Sequence, residues 1–146
     1  MTDTYHYAKV EKHELHQVWL EIEPLIKKAT DTARGECDPE HFRRMVTDGK
    51  MDVFVAIDDQ GVGAVMLTQF VFHPNYTALR VAVMGGRTPD ILRVCVEEYW
   101  PRLIEWSKGY GAHTWEAFCH PGMARLLRKY GFNESYSLCV KRIKGE

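Results

Sequence analysis

The sequence predicts an α+β domain, and three observations support this prediction. Helical periodicity in four segments alternates with period-two apolar patterns in five others. A proline directly follows a capping residue at two helix starts. The chain has 146 residues, 45% of them hydrophobic and 27% charged, which is enough to bury a core. We therefore expect one domain over residues 1–146 with the order α-α-β-β-β-α-β-α-β, in which helices flank a central mixed, mostly antiparallel sheet.

The first two predicted helices form the N-terminal part of the chain. The first covers about Lys12–Ala33, and Pro24 is expected to kink or split it. Its apolar stripe consists of Leu15, Val18, Trp19, Ile22, Leu25, Ile26 and Ala29. The second begins with Asp38 as N-cap and Pro39 in the first turn, and Gly49 closes it.

Three strands are predicted in the middle of the chain. Asp52–Ile57 and Val62–Phe72 flank a turn at Asp58–Gly61, which is typical of a hairpin. A second turn at His73–Tyr76 leads to a β-branched strand, Ala78–Met84. Together they predict an antiparallel meander.

The C-terminal half contains two helices and two strands. Thr88 is the N-cap of a helix that runs toward Lys108, and Pro101 should bend it near Glu97. A strand at His113–Cys119 follows. The remaining predicted elements are an amphipathic helix, Met123–Tyr130, its stop at Gly131, and a final strand, Asn133–Ile143.

Composition and cysteine spacing exclude several classes of protein. No apolar run is long enough to span a membrane and the N-terminus does not resemble a signal peptide, so we expect a cytoplasmic protein. The net charge of −1 and the absence of a reading motif argue against nucleic acid as a partner, although basic side chains recur near the C-terminus. The cysteines show no zinc-ligand spacing, and buried free thiols are favoured over disulfides.

The end of the last predicted helix resembles a known superfamily. Ala124, Leu127, Gly131 and Phe132 match the A-x-x-[LY]-x-x-x-G-F ending of the GNAT N-acetyltransferases. The resemblance implies the GNAT fold, acetyl-CoA as cofactor, and a small-molecule or protein amine as acceptor. The acceptor itself is not encoded in a recognisable motif.

The resemblance also points to a cofactor site. In the superfamily a glycine-rich loop after the central strand binds the CoA pyrophosphate through backbone N–H groups. The matching segment here is Met84, Gly85, Gly86 and Arg87, where the arginine would add a charge-assisted contact. Its spacing differs from the superfamily's, and Pro89 removes one N–H. A plain turn is the alternative interpretation.

Two residues are candidates for catalysis. Glu116 lies between apolar neighbours on a predicted strand, so it could act as the base for the acceptor amine; a solvated strand glutamate is the alternative. The superfamily's acidic tyrosine position is Leu127 here, and Tyr130 could replace it only if the helix is rotated. A core or rim tyrosine is the alternative there. His120, before Pro121, is a weaker candidate base.

A narrower resemblance suggests a second function. The segments from Ile104 to Gly111 and from Gly122 to Leu127 resemble GNAT-like proteins encoded by tailed phages. This resemblance implies a catalytically silent protein that contacts phage or host proteins, located in the virion or the host cytoplasm. The acetyltransferase remains the first hypothesis.

Overall fold

In the described part of the chain five strands form one sheet, and their spatial order follows the chain. They are β1 (His6–Val10), β2 (Asp52–Asp58), β3 (Gly61–Phe72), β4 (Thr77–Gly86) and β5 (Thr114–Ala117). The first four are antiparallel to their neighbours, and β5 runs parallel to β4. The structure is a computed structural model that describes residues 5–31, 37–119 and 121–144. The predicted α+β class with a mixed, mostly antiparallel sheet is confirmed.

β1 is a strand that the sequence prediction missed. It pairs with β2 from His6↔Ile57 to Val10↔Val53. Of its five residues only Val10 is buried, so the apolar alternation that identifies a half-buried strand is weak. Its position is set by contacts with residues far along the chain, which are the pairing with β2 and the stacking of Tyr7 on Tyr99 with ring centroids 4.5 Å apart.

Two helices cover one face of the sheet. They are α1 (Leu15–Thr30), preceded by a short 3₁₀ turn at Lys12–Glu14, and α2 (Pro39–Thr47). α1 continues through Pro24 as a single helix. The core on this side includes Trp19, Ile22, Ile26, Phe42, Val53, Val55, Val65 and Leu67. The predicted connection between the two helices falls largely on residues 32–36, which lie outside the described residues.

The other face carries α3 (Pro89–Val94), α4 (Trp100–Gly109) and α5 (Pro121–Arg128). A π-helical turn, Cys95–Tyr99, joins α3 to α4, and the Trp100 N–H donates to the carbonyl of Cys95. Pro101 has no N–H to donate back to Glu97, which explains why the irregularity lies where the sequence predicts a bend. The core on this side includes Phe54, Met66, Val81, Val96, Trp100, Leu103 and Leu127.

The predicted final strand is wrong. Residues 133–144 are without regular secondary structure, and no described strand pairs with them. The side chains of Tyr136, Leu138 and Ile143 are 97%, 75% and 89% exposed. Apolar alternation predicts the tendency to form a strand, but a strand also needs a neighbour that accepts and donates its backbone hydrogen bonds.

Candidate functional site

The pairing of β4 with β5 ends well before β4 does. The parallel ladder runs from Ala78↔Thr114 to Val81↔Ala117. β4 continues to Gly86, and no described strand pairs with this part of β4 on the β5 side. The two strands therefore part after Val81, and the β5 side of residues 82–86 has no strand partner in the described part of the chain. Such an edge can bind an extended, amide-containing ligand.

Glu116, the predicted base, lies beside this parting on the face that carries α1 and α2. Its neighbours Trp115 and Ala117 pack against the core beneath α4. Because side chains alternate along a strand, Glu116 projects to the opposite face. The residue opposite it on β4 is Arg80. The pairing of β4 with β5 therefore holds Glu116 close to the point where the two strands separate.

Glu116 is the centre of a polar group that we call the His73–Arg80–Glu116 cluster. Its Oε1 accepts a hydrogen bond from Nε of Arg80 at 2.7 Å and forms an ion pair with Nη2 of the same residue at 2.6 Å. Its Oε2 lies 3.2 Å from Nε2 of His73. All three side chains are between 27% and 28% exposed. Both carboxylate oxygens are thus engaged, while solvent still reaches the cluster.

Two aromatic rings flank the cluster. The guanidinium of Arg80 lies 5.0 Å from the ring centroid of Phe118. The imidazole of His73 lies 4.8 Å from the ring of Tyr76, centroid to centroid. Phe118 is 76% exposed and Tyr76 41% exposed, so the cluster is bordered by accessible apolar surface.

Three of the four predicted cofactor residues lie in a strand and not in a loop. Met84, Gly85 and Gly86 pair with β3, opposite Met66, Val65 and Ala64 in that order. The expected loop at this position is therefore corrected: the strand runs two residues beyond its predicted end.

The two glycines permit close packing of helices. A Cβ on Gly85 would lie 2.1 Å from the carbonyl oxygen of Leu25 in α1. A Cβ on Gly86 would lie 2.7 Å from Ile91 in α3. Their lack of a side chain is explained by these contacts. Their predicted role in binding a cofactor stays a prediction.

Arg87 is held by an acidic partner. Its guanidinium donates to both carboxylate oxygens of Asp58, over 3.0 Å and 2.9 Å, and to the carbonyl of Gly61 over 3.2 Å. This bidentate contact lowers the pKa of Asp58 below its usual range. An anion that binds Arg87 must therefore compete with Asp58.

The backbone beyond β4 has few N–H groups to offer a phosphate. The N–H of Arg87 donates to Gly63 over 2.9 Å, and that of Ile91 donates to the capping hydroxyl of Thr88 over 3.3 Å. Pro89 has none. A phosphate at this end of β4 would therefore depend mainly on side-chain cations.

Lys28 is such a cation, and the sequence analysis missed it. Its Nζ donates to the carbonyl oxygens of Gly86 and Arg87 over 3.4 Å and 3.2 Å, which places the ammonium at the end of β4. In the sequence, an exposed lysine on an amphipathic helix is not distinguishable from other surface lysines.

Arg80 is different, because it is the only charged residue in the apolar run 78–84, and this pattern could have marked it as a site residue.

Tyr130, the second predicted catalytic residue, lies away from Glu116. Its hydroxyl donates a hydrogen bond to Glu97 in the π-helical turn, and this bond raises the pKa of Tyr130 and lowers that of Glu97. Tyr130 thus contacts the helices on the α4 face, whereas Glu116 projects from the other face. The structure does not bring the two predicted catalytic residues together. His120 lies outside the described residues.

β4 beyond Val81 has no strand neighbour on its β5 side in the described residues, and Lys28 and Arg87 lie at its C-terminal end. An extended ligand with amide groups and an anionic end would match these two features. Gly85 and Gly86, the glycines of the expected cradle, pack against helices, and the cradle itself stays a prediction.

Two further features are absent from the described residues. No group of three or more side chains there could hold a metal ion. Nor is any helix in that part of the chain long and apolar enough to cross a membrane.

Comparison with known proteins gives structural matches only. No protein-family profile and no curated protein matches the sequence. An aminoglycoside N-acetyltransferase in complex with CoA superposes with a TM-score of 0.69, covering 99% of this chain and 98% of that one, at 13% identity. Ribosomal-protein-alanine N-acetyltransferase from Brucella melitensis superposes with a TM-score of 0.66, covering 97% and 100%, at 15% identity. Glucosamine-6-phosphate N-acetyltransferase from Arabidopsis thaliana gives 0.62, covering 97% and 100%, at 16% identity.

Because the sequence identities are this low, the matches are evidence for the fold alone. They extend over nearly the whole chain and include enzymes with three different acceptors. The resemblance to phage proteins stays a prediction. The chain therefore has the fold of the GNAT N-acetyltransferases.

Proposed function

We propose that this protein is an acyl-CoA-dependent N-acetyltransferase that acts on an amine. The observation that carries the proposal is the parting of β4 and β5 after Val81, directly beside the His73–Arg80–Glu116 cluster. It combines a free strand edge for the acyl donor with polar groups for the acceptor. A structural neighbour with the same fold binds CoA, which supports this choice of donor.

The chain's residues take the following parts. Bound acetyl-CoA supplies the acetyl group as a thioester. The backbone of residues 82–86 binds the amide-containing arm, and Lys28 and Arg87 face the phosphates. The amine is held on the α1–α2 side of the sheet, near Glu116. Tyr130 contacts the opposite side, so its predicted role as an acid requires that its bond to Glu97 be broken.

The acceptor class follows from the neighbours only in outline. Their acceptors are an aminoglycoside, an amino sugar phosphate and the alanine of a ribosomal protein, which share an amine and little else. We therefore propose a small-molecule or protein amine as the acceptor.

The proposal is tested in two steps. Acetyl-CoA is titrated into the protein in a calorimeter, and a Kd in the micromolar range is expected. Acetyl transfer is then measured by mass spectrometry with an aminoglycoside, glucosamine-6-phosphate and an alanine-terminated peptide, and acetylation of at least one amine above the protein-free rate is expected. The absence of heat at high micromolar concentrations of protein and ligand would overturn the proposal.

A further inference from the structure

We propose that His73 is the general base of this transfer and that Glu116 is the residue that positions it. The inference rests on the proposed function and assigns the proton to a residue on the turn after β3, which the sequence analysis treated only as a turn. It also changes the role of Glu116 from base to positioning residue.

Both carboxylate oxygens of Glu116 are already engaged by neighbouring side chains. Oε1 accepts a hydrogen bond from Arg80 and forms an ion pair with its Nη2, and Oε2 lies at hydrogen-bond distance from His73. Of these two partners only the imidazole has a nitrogen that can accept a proton, because a guanidinium is a donor only.

His73 is oriented so that one of its two ring nitrogens faces Glu116. Its Nε2 faces Oε2 of Glu116 at 3.2 Å. The carboxylate is an acceptor only, so Nε2 carries the hydrogen in this contact and Nδ1 is left with its lone pair. A carboxylate that orients an imidazole and stabilises its protonated form is the arrangement that makes histidine an effective base.

The cluster lies close to the point where β4 and β5 part. The Arg80↔Glu116 pair is the last but one in the β4–β5 ladder, so the cluster lies one residue pair from the point where the strands part. His73 is 28% exposed on its side chain, so an amine in solvent can reach its ring. The base is therefore next to the place proposed for the acyl group and open to the acceptor.

Arg80 fixes the position of the whole cluster. Two of its nitrogens bind one oxygen of Glu116, and its guanidinium lies 5.0 Å from the ring of Phe118. These contacts hold Glu116 toward His73. Arg80 is thus a second positioning residue, which acts through Glu116.

The proton balance of the step is complete. A bond forms between the amine nitrogen and the acetyl carbon, and the bond between that carbon and sulfur breaks. Nδ1 of His73 accepts the proton that nitrogen loses, and the sulfur leaves with the electron pair of the broken bond. The departing thiolate is finally protonated, from the imidazolium directly or through water, which returns His73 to its neutral form.

The groups around His73 determine how its role should appear in a pH profile. They are Glu116 on β5, Arg80 on β4 behind that carboxylate, and the ring of Tyr76 on the same turn. His113 is nearby but accepts a hydrogen bond from the N–H of Thr77. A general base must be neutral to act, so the wild-type rate should fall at acidic pH, where an imidazole base is protonated.

The first experiment needs no acyl donor. Long-range ¹H–¹⁵N spectra of the protein alone should show the His73 ring, assigned by its loss in H73Q, with hydrogen on Nε2 and a free Nδ1. In E116Q the ring should lose this single tautomer. Observing hydrogen on Nδ1 in the wild-type protein would overturn the proposal.

The second experiment compares variants in acetyl transfer to the best amine of the panel, or in hydrolysis of acetyl-CoA if no amine is acetylated. H73Q should lower kcat about 100-fold or more and remove the acid limb of the pH profile. E116Q should lower kcat about 10-fold and keep that limb, because the base is still present. H16Q, which replaces an exposed histidine on α1, should behave as wild type.

The two proposals fail in different ways. If wild-type protein does not bind acetyl-CoA in the calorimeter, the proposed function fails. If it binds and turns over acetyl-CoA but H73Q retains the wild-type rate and pH profile, only the role of His73 fails. Binding without any turnover also rejects a base at this position. H73Q and E116Q should bind acetyl-CoA with wild-type affinity, which separates the loss of a base from loss of the fold.

Discussion

Two cations at the end of β4 are held by different kinds of partner. Arg87 forms a bidentate pair with Asp58, whereas Lys28 donates to the neutral carbonyl oxygens of Gly86 and Arg87. A positive charge already matched by a carboxylate adds little to anion binding, since the anion must displace that carboxylate. At the scale of single residues, Lys28 is therefore the cation better placed to act on phosphate.

Replacing Lys28 with alanine should weaken acetyl-CoA binding about 3- to 10-fold, because one charge-assisted contact is lost. Calorimetric titration measures the change, which should shrink as salt is added. K27A is the matched control: Lys27 is the adjacent lysine of α1, and its ammonium is paired with Asp31 at 3.2 Å. Equal losses in K28A and K27A would mean that only the overall charge of the helix matters.

Gly85 allows α1 and β4 to pack closely against each other. Gly85 brings the strand so close to α1 that any side chain would meet the carbonyl oxygen of Leu25 at 2.1 Å. A backbone atom cannot move aside as a side chain can, so the helix or the strand would have to shift. At the scale of elements, this glycine is a packing residue of the sheet face.

Gly85→Ala should lower the free energy of unfolding by about 1–3 kcal/mol or more through overpacking. Urea unfolding of the two proteins measures the difference. Gly109→Ala is the control, since no atom lies within 4 Å of a Cβ built at that position near the end of α4. It should leave stability unchanged or raise it by up to about 1 kcal/mol. A neutral effect of Gly85→Ala would show that α1 can retreat from β4.

The elements that the sequence predicted well depend on local chemistry. Asp38 and Thr88 cap their helices as expected, accepting hydrogen bonds from the N–H groups of His41 and Ile91. Each signal lies within four residues of chain. The failures are non-local: β1 exists because β2 offers it an edge, and the predicted strand Asn133–Ile143 lacks such a partner in the described structure.

The residues of the candidate site also fall into those that a local sequence pattern predicts and those that only the fold brings together. Glu116 could be predicted because a carboxylate inside an apolar strand is conspicuous in one short window. Its partners His73 and Arg80 are 43 and 36 residues away along the chain, and only the sheet brings them together. Gly85 and Gly86 were expected near a phosphate because of the resemblance to the superfamily's loop, and the sequence does not show that helices pack against both of them.

At the scale of the whole molecule, the described residues beyond Phe132 contribute nothing to the cores on the two faces of the sheet. The core beneath α4 includes Leu127, and Phe132 packs against it with its ring 5.7 Å from that of Trp100, centroid to centroid. Beyond Phe132 every side chain from Asn133 through residue 144 is exposed, and Glu134 forms an exposed ion pair with Arg128 at 3.8 Å. An exposed pair of this kind contributes little to stability.

Deleting residues 135–146 should therefore shift the Tm by less than about 2 °C, because the described part of this segment, residues 135–144, covers no core surface. Thermal unfolding followed by circular dichroism measures the shift. Leu127→Ala is the comparison: this side chain is 3% exposed, and its truncation should lower the Tm by about 10 °C through a cavity. A comparable drop after the deletion would mean that the segment does pair with the open edge of β5 in solution, as its apolar alternation predicts.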